Sequence, residues 1–127
     1  MCRLLLADDD AQQLAVRKLL LEAAGHEVTV AHDVGRARRL LEDSPPDVLV
    51  LDLRLPELED GLGLIRFVPE RHLAAKIIVL SGWTEELCDL PEEKLVFRVL
   101  AKPFRNDRLL EAIACAVATD APAAPAS

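Results

Sequence analysis

Asp47-Val48-Leu49-Val50-Leu51-Asp52 is a run of four uninterrupted apolar residues that ends in a single carboxylate. Pro45-Pro46 stands ahead of it, and the loop Leu53-Arg54-Leu55-Pro56 follows. A short apolar run bounded by prolines reads as a strand. Because it shows no polar alternation, it is expected to be buried on both faces, as strands of parallel sheets are. Asp52 would then sit at the mouth of such a sheet.

The segments on either side repeat this design. Arg3–Ala7 is a second short apolar run, stopped by Asp8-Asp9-Asp10. A helix is expected next, with Leu14 in phase, Val16 out of phase, then Leu20, Leu21 and Ala24, closed by Gly25 as a C-terminal stop. Val28–Ala31 reads as a β-branched strand, and Asp33 as the N-cap of a helix over about 34–43. After Asp52, an acidic loop over 53–60 leads into a helix expected from Gly61 to about Arg71. Lys76–Leu80 is a fourth strand ending at Ser81-Gly82. Thr84–Leu90 has room for only a short helix before Pro91. Leu95–Ala101 is a fifth strand ending at Lys102-Pro103-Phe104. A last helix, from Asn106 or Asp107 to Val117, shows an apolar face of Leu109, Leu110, Ile113, Ala116 and Val117. The Ala/Pro segment 120–127 has no core-forming residue and is expected to be disordered, leaving 1–119 as one domain. Five strands alternating with five helices imply an α/β fold, a doubly wound parallel sheet with helices on both faces.

Ligands of open α/β sheets bind outside the carboxyl ends of the strands. Asp8 and Asp9, Asp52, Ser81 and Lys102 all stand there, brought from four different strands. Crowded carboxylates repel one another unless a cation compensates. Their hard oxygen donors suit Mg²⁺, which takes one or two carboxylates together with phosphate oxygens. A carboxylate can also act as a nucleophile and form an aspartyl phosphate. The Lys102 ammonium and the Ser81 hydroxyl are suited to neutralise charge on a transferred phosphoryl group.

Together, Leu4–Asp10, Val48–Pro56, Asp60-Gly61, Ile77–Gly82 and Ala101–Phe104 resemble the receiver domain of bacterial two-component response regulators. The resemblance runs from residue 3 to about 118. It implies the flavodoxin-like receiver fold with strand order 2-1-3-4-5. It further implies Asp52 as phosphoacceptor, Asp9 as direct Mg²⁺ (or Mn²⁺) ligand with Asp8 acting through water, and the Arg54 backbone carbonyl as a further ligand. Ser81 takes the switch position and Lys102 pairs with a phosphoryl oxygen. The Lys102–Pro103 bond is expected to be cis. The implied donor is a phosphohistidine on a histidine kinase or a histidine phosphotransfer protein. Chemistry is confined to the domain's own phosphorylation and dephosphorylation, so no enzyme in the ordinary sense is implied.

Three features depart from the family pattern. Val99 stands three residues before the lysine, where an aromatic residue is usual, and the chain contains no Tyr. Phe97 shares the Val99 face under period-two alternation but holds the wrong position to replace it. Pro91 abbreviates the fourth helix, and the loop Pro56–Gly61 is one residue longer than the common spacing.

Composition narrows the alternatives. A net charge of −7 with dispersed basic residues opposes direct nucleic-acid binding. Cys2, Cys88 and Cys115 are odd in number and widely spaced, which suits reduced cytoplasmic thiols better than disulfides or zinc. His26, His32 and His72 lack metal-ligand spacing and are expected at the surface. No signal peptide and no stretch of membrane-spanning length is seen. A dehalogenase-type phosphatase wants an acid at position 54, where Arg54 stands. A dinucleotide-binding domain wants glycines where Asp8–Asp10 stand. Two readings remain beside a working phosphoacceptor: a phosphorylation-independent interaction module on the same fold, and the receiver module of a larger hybrid kinase.

Arg54 and Trp83 lie two residues after Asp52 and Ser81, so both are expected to flank the phosphoryl site and screen it from water. Replacing both with Ala is expected to shorten the lifetime of the phosphorylated form, followed by loss of radiolabel over time. Loss at the wild-type rate would remove the screen.

Overall fold

In the computed structural model, which describes residues 2–55, 57–82 and 87–118, the strand that ends at Asp52 is the central one of five. It is β3 (Val48–Asp52), and all five of its residues are buried. Around it lie β1 (Arg3–Ala7), β2 (Glu27–Ala31), β4 (Lys76–Ser81) and β5 (Arg98–Ala101). They form one sheet in the order β2-β1-β3-β4-β5, with every neighbouring pair parallel. Parallel neighbours need crossovers, and helices supply those that follow β1, β2 and β3: α1 (Ala11–Ala23), α2 (Val34–Asp43) and α3 (Leu58–Glu70), with α4 (Asn106–Ala118) following β5.

Period-two alternation along the strands divides the core into two layers. Leu5, Leu49, Leu51, Ile77 and Val79 face Ala37 and Leu41 of α2 and Leu64, Ile65 and Val68 of α3. Leu4, Leu6, Val48, Val50, Ile78 and Leu80 face Leu14 and Leu21 of α1 and Leu109, Ile113 and Ala116 of α4. Each of these leucines, isoleucines and valines contributes roughly 1.5–3 kcal/mol on burial.

Local signals place most element ends. Asp10 caps α1, its carboxylate accepting from the N–H groups of Gln12 at 3.0 Å and Gln13 at 3.2 Å. Gly25 takes φ +96° after α1, a left-handed conformation that a side chain would strain. Asp33 caps α2 by accepting from Arg36 N–H at 2.8 Å.

Several expectations need correction. α3 begins at Leu58, three residues before Gly61, because the Asp60 carboxylate accepts from Glu57 N–H at 3.0 Å and starts the helix earlier. β5 is shorter than Leu95–Ala101: Pro91–Leu95 forms a 3-10 turn, and pairing begins at Arg98. Of the short helix expected over Thr84–Leu90, residues 84–86 lie outside the described residues, and 87–90 are turn. Four α-helices are present among the described residues. Phe97 packs on the α1–α4 layer and Val99 on the α2–α3 layer. The two thus lie on opposite sides, although the Phe97 N–H already donates to the Ile77 carbonyl of β4 at 2.8 Å. In α4, Val117 is exposed, and Ala112 takes a place in the core. Trp83, Pro56 and the segment 120–127 lie outside the described residues.

Gly61 is required by packing. A Cβ on it would lie 1.8 Å from the Leu53 carbonyl oxygen, a backbone atom immediately after Asp52. Gly61→Ala is therefore expected to cost more than about 2 kcal/mol in a urea titration, because neither backbone can yield cheaply. An unchanged midpoint would show that α3 and the Asp52 loop do not approach so closely.

Candidate functional site

Register explains why the acids meet. Ala7 pairs with Leu51, so the next residues, Asp8 and Asp52, end adjacent strands at the same level. Parallel strands lie about 4.8 Å apart, which leaves two carboxylates as near neighbours. The ladder continues past β1, since Asp8 N–H donates to the Ala31 carbonyl at 3.2 Å. Alternation then carries Asp8 and Asp52 to the side of Leu6 and Val50, the α1–α4 layer. Both are buried, at 2% and 9% exposure.

Lys102 reaches Asp52 from two strands away. Asp52 pairs with Leu80, and Leu80 with Leu100. Lys102 follows Leu100 by one pleat and returns to the same side, with its N–H held by the Ser81 carbonyl at 2.7 Å. Its Nζ donates to Asp52 Oδ2 at 2.6 Å. The Lys102–Pro103 peptide is cis, as expected. Ser81 closes β4 one residue beyond the level of Asp52 and is 2% exposed. The Arg54 N–H donates to Asp52 Oδ1 at 3.2 Å, while its neighbours Leu53 and Leu55 are fully buried and anchor the loop. The Arg54 side chain is exposed.

The three aspartates after β1 have separate fates. Asp8 is the buried acid at the sheet edge, Asp9 is exposed, and Asp10 is the helix cap. One residue that sequence reasoning missed completes the picture. Arg17 NH1 donates to Asp8 Oδ2 at 2.9 Å, and Asp10 N–H donates to Asp8 Oδ1 at 2.9 Å. The available signal was a basic residue on the stripe Leu14, Arg17, Leu21, at spacings of three and four. Of the histidines, His32 and His72 are exposed, whereas His26 is half-buried with Nδ1 at 3.4 Å from Cys2 Sγ. Burial pushes the His26 pKa down.

The Asp52 carboxyl is held above its ordinary range. Burial is the main cause, and the neighbouring charge of Asp8 adds to it; the Lys102 and Arg54 hydrogen bonds oppose both without prevailing. Asp8, Asp9 and Asp52 offer the hard oxygen donors that a small divalent cation takes. In donor chemistry they fit Mg²⁺. In their present conformations the two buried acids point at Arg17 and Lys102. Among the described residues, no three acidic, His or Cys side chains converge on a common point.

A parallel sheet in this order, with an acid pair and a lysine at its carboxyl edge, is the arrangement of a class of signalling domain. The chain belongs to that class: the response regulator receiver domain family matches residues 4–114. It is 37% identical over 112 residues to the transcriptional regulatory protein CpxR of Escherichia coli (strain K12), covering 88% of this chain and 47% of CpxR. It is 34% identical over 90 residues to the virulence transcriptional regulatory protein PhoP of Salmonella typhimurium, covering 68% of this chain and 40% of PhoP. The chain thus spans less than half the length of these relatives. Among solved structures, the response regulator TrrA of Thermotoga maritima, in complex with Mg²⁺-BeF, superposes with a TM-score of 0.82 at 25% identity, covering 91% of this chain and 99% of that one. A signal receiver domain from Bermanella marisrubri gives 0.75 at 33% identity, covering 91% and 97%. No helix among the described residues is long and apolar enough to cross a membrane.

The raised Asp52 pKa has a consequence for stability. Between the ordinary carboxylate range and the raised value, the folded protein holds a proton that the unfolded chain releases. Stability therefore falls as pH rises through that window. In metal-free buffer, Asp52→Asn is expected to remove this decline and to be the more stable protein at pH 7. Denaturant midpoints measured from pH 4 to 7 check it; parallel profiles for the two proteins would contradict the assignment.

Proposed function

We propose that this receiver domain accepts a phosphoryl group on Asp52 from a phosphohistidine of a histidine kinase or histidine phosphotransfer protein. The observation that carries this reading is the Lys102–Asp52 contact of 2.6 Å beside a second buried acid, Asp8. A buried, lysine-paired carboxylate stands at the very end of its strand, and its raised pKa is a cost to the fold. Such costs are common where a site is built for chemistry.

In the proposed reaction an Asp52 carboxylate oxygen attacks phosphorus in line. The new P–O bond forms as the P–N bond to the donor imidazole breaks, and the imidazole, already protonated on its other ring nitrogen, leaves as the neutral ring. The Lys102 ammonium exchanges its contact with Asp52 for one with a phosphoryl oxygen. The Ser81 hydroxyl, one residue beyond Asp52 on the adjoining strand, donates to another. Asp8, Asp9, Asp52 and the Arg54 carbonyl would hold Mg²⁺ (or Mn²⁺), which supplies charge neutralisation at the phosphoryl oxygens when bound. The fold receives the phosphoryl group and then signals by conformational change to a protein partner, in the cytoplasm where such donors act. We assign residues 1–119 to this domain. Arg54 and Trp83 are assigned to the flanks of the phosphoryl site.

The presence of both buried acids and the lysine at one edge of the sheet favours a working phosphoacceptor over a phosphorylation-independent module. Incubation with radiolabelled acetyl phosphate and MgCl₂ is expected to label the wild-type chain. Asp52→Asn is expected to take up no label, and Lys102→Ala to lower the labelling rate by at least about tenfold, the scale of one lost charge contact in a transition state. Equal labelling of wild type and Asp52→Asn would overturn the assignment.

A further inference from the structure

Arg17 occupies a place where α1 presents its apolar stripe to the sheet. Its neighbours on that stripe, Leu14 and Leu21, are buried in the α1–α4 layer, and the Arg17 side chain is itself only 12% exposed. A guanidinium does not shed its proton in a protein, so a permanent positive charge is held at the edge of the core. Such a charge needs partners. It has two: Asp8 Oδ2 at 2.9 Å, and the face of Phe104, whose ring centroid lies 5.7 Å from the guanidinium carbon. Phe104 follows Lys102 by two residues. Arg17 therefore bridges the acid at the end of β1 and the segment that carries the lysine.

The charges at the sheet edge decide what this bridge does. Asp8, Asp9 and Asp52 bring three negative charges when ionised. Lys102 offsets one of them and suits the remaining two to a divalent cation. Arg17 offsets another and leaves a single negative charge. A guanidinium and a divalent cation on the same buried carboxylate repel each other where water screens poorly. Asp8 Oδ1 is engaged by the Asp10 N–H, and Oδ2 is the oxygen that Arg17 holds.

We propose that Arg17 is a tethered cation that neutralises Asp8 in the resting domain and is displaced from it when a divalent cation binds. Displacement leaves the guanidinium with Phe104 as its remaining partner, so metal occupancy is felt two residues beyond Lys102. This inference rests on the reading of Asp8, Asp9 and Asp52 as the Mg²⁺ donors. It gives the domain a route between the acid cluster and the β5–α4 segment that does not use position 99, where Val99 stands.

Titration of the full chain with MgCl₂ by calorimetry tests the exchange. Arg17→Met keeps the stem and removes the charge. It is expected to bind Mg²⁺ at least about fivefold more tightly than wild type, a coupling at the low end of those between linked sites. It is also expected to gain more thermal stability from saturating Mg²⁺, because metal then replaces the missing counter-charge on Asp8. If Arg17→Met does not fold without metal, Arg17→Gln, which keeps a hydrogen-bond donor without the charge, carries the same expectation. Phe104 ring resonances are expected to shift on Mg²⁺ addition in wild type and to stay fixed in the variant. Equal or weaker Mg²⁺ binding by the variants overturns the role of Arg17 while leaving the metal site standing. Absence of Mg²⁺ binding by every protein, wild type included, overturns the metal reading and this inference with it.

Discussion

Two carboxylates, Asp8 and Asp52, end neighbouring parallel strands at one level, and the sheet register gives them no freedom to separate. Burial of like charges at strand spacing is unfavourable. The surrounding structure is arranged to meet that cost. Lys102 crosses over β4 to reach Asp52, Arg17 turns inward from α1 to reach Asp8, and the Asp10 and Arg54 N–H groups each take one of the remaining oxygens. The site is thus a compensated acid pair, held by contacts from the ends of β1, β3 and β5 and from α1.

The same constraint accounts for the loop after β3. Leu53 and Leu55 are fully buried and pin the chain on either side of Arg54, so its backbone is set beside Asp52 although the residue is exposed. Gly61 admits the first turns of α3 against the Leu53 carbonyl. A methyl group there would press on the residue next to the nucleophile. The glycine of the Asp60-Gly61 pair is accordingly a packing requirement, and the aspartate starts the helix.

Much of this was legible in the chain. The central strands were readable because β1, β3 and β4 are short apolar runs whose length and flanking proline, glycine or charge favour strand over buried helix. Asp52, Lys102, Asp8 and Ser81 could be placed at one edge because alternating strands and helices leave only one edge for their carboxyl ends. Helix faces were less legible. In α1 the residues Val16 and Leu19 are exposed although apolar, and Arg17 is turned inward although charged. Hydrophobicity alone ranks these three in the wrong order, because the α1 face is chosen by what the sheet presents to it. Ala112 and Val117 of α4 exchange roles for the same reason.

The sequence by itself determined the α/β class, the strand order through its family motifs, and the set of groups at the carboxyl edge, since these follow from local patterns and from the direction of the strands. Only the tertiary structure decided which cation serves which acid. An arginine at position 17 is an ordinary helical residue until α1 is laid on the sheet, where its charge meets Asp8 in a place that water does not freely reach. Pairings of that kind depend on distances between residues remote in sequence, and no local pattern encodes them.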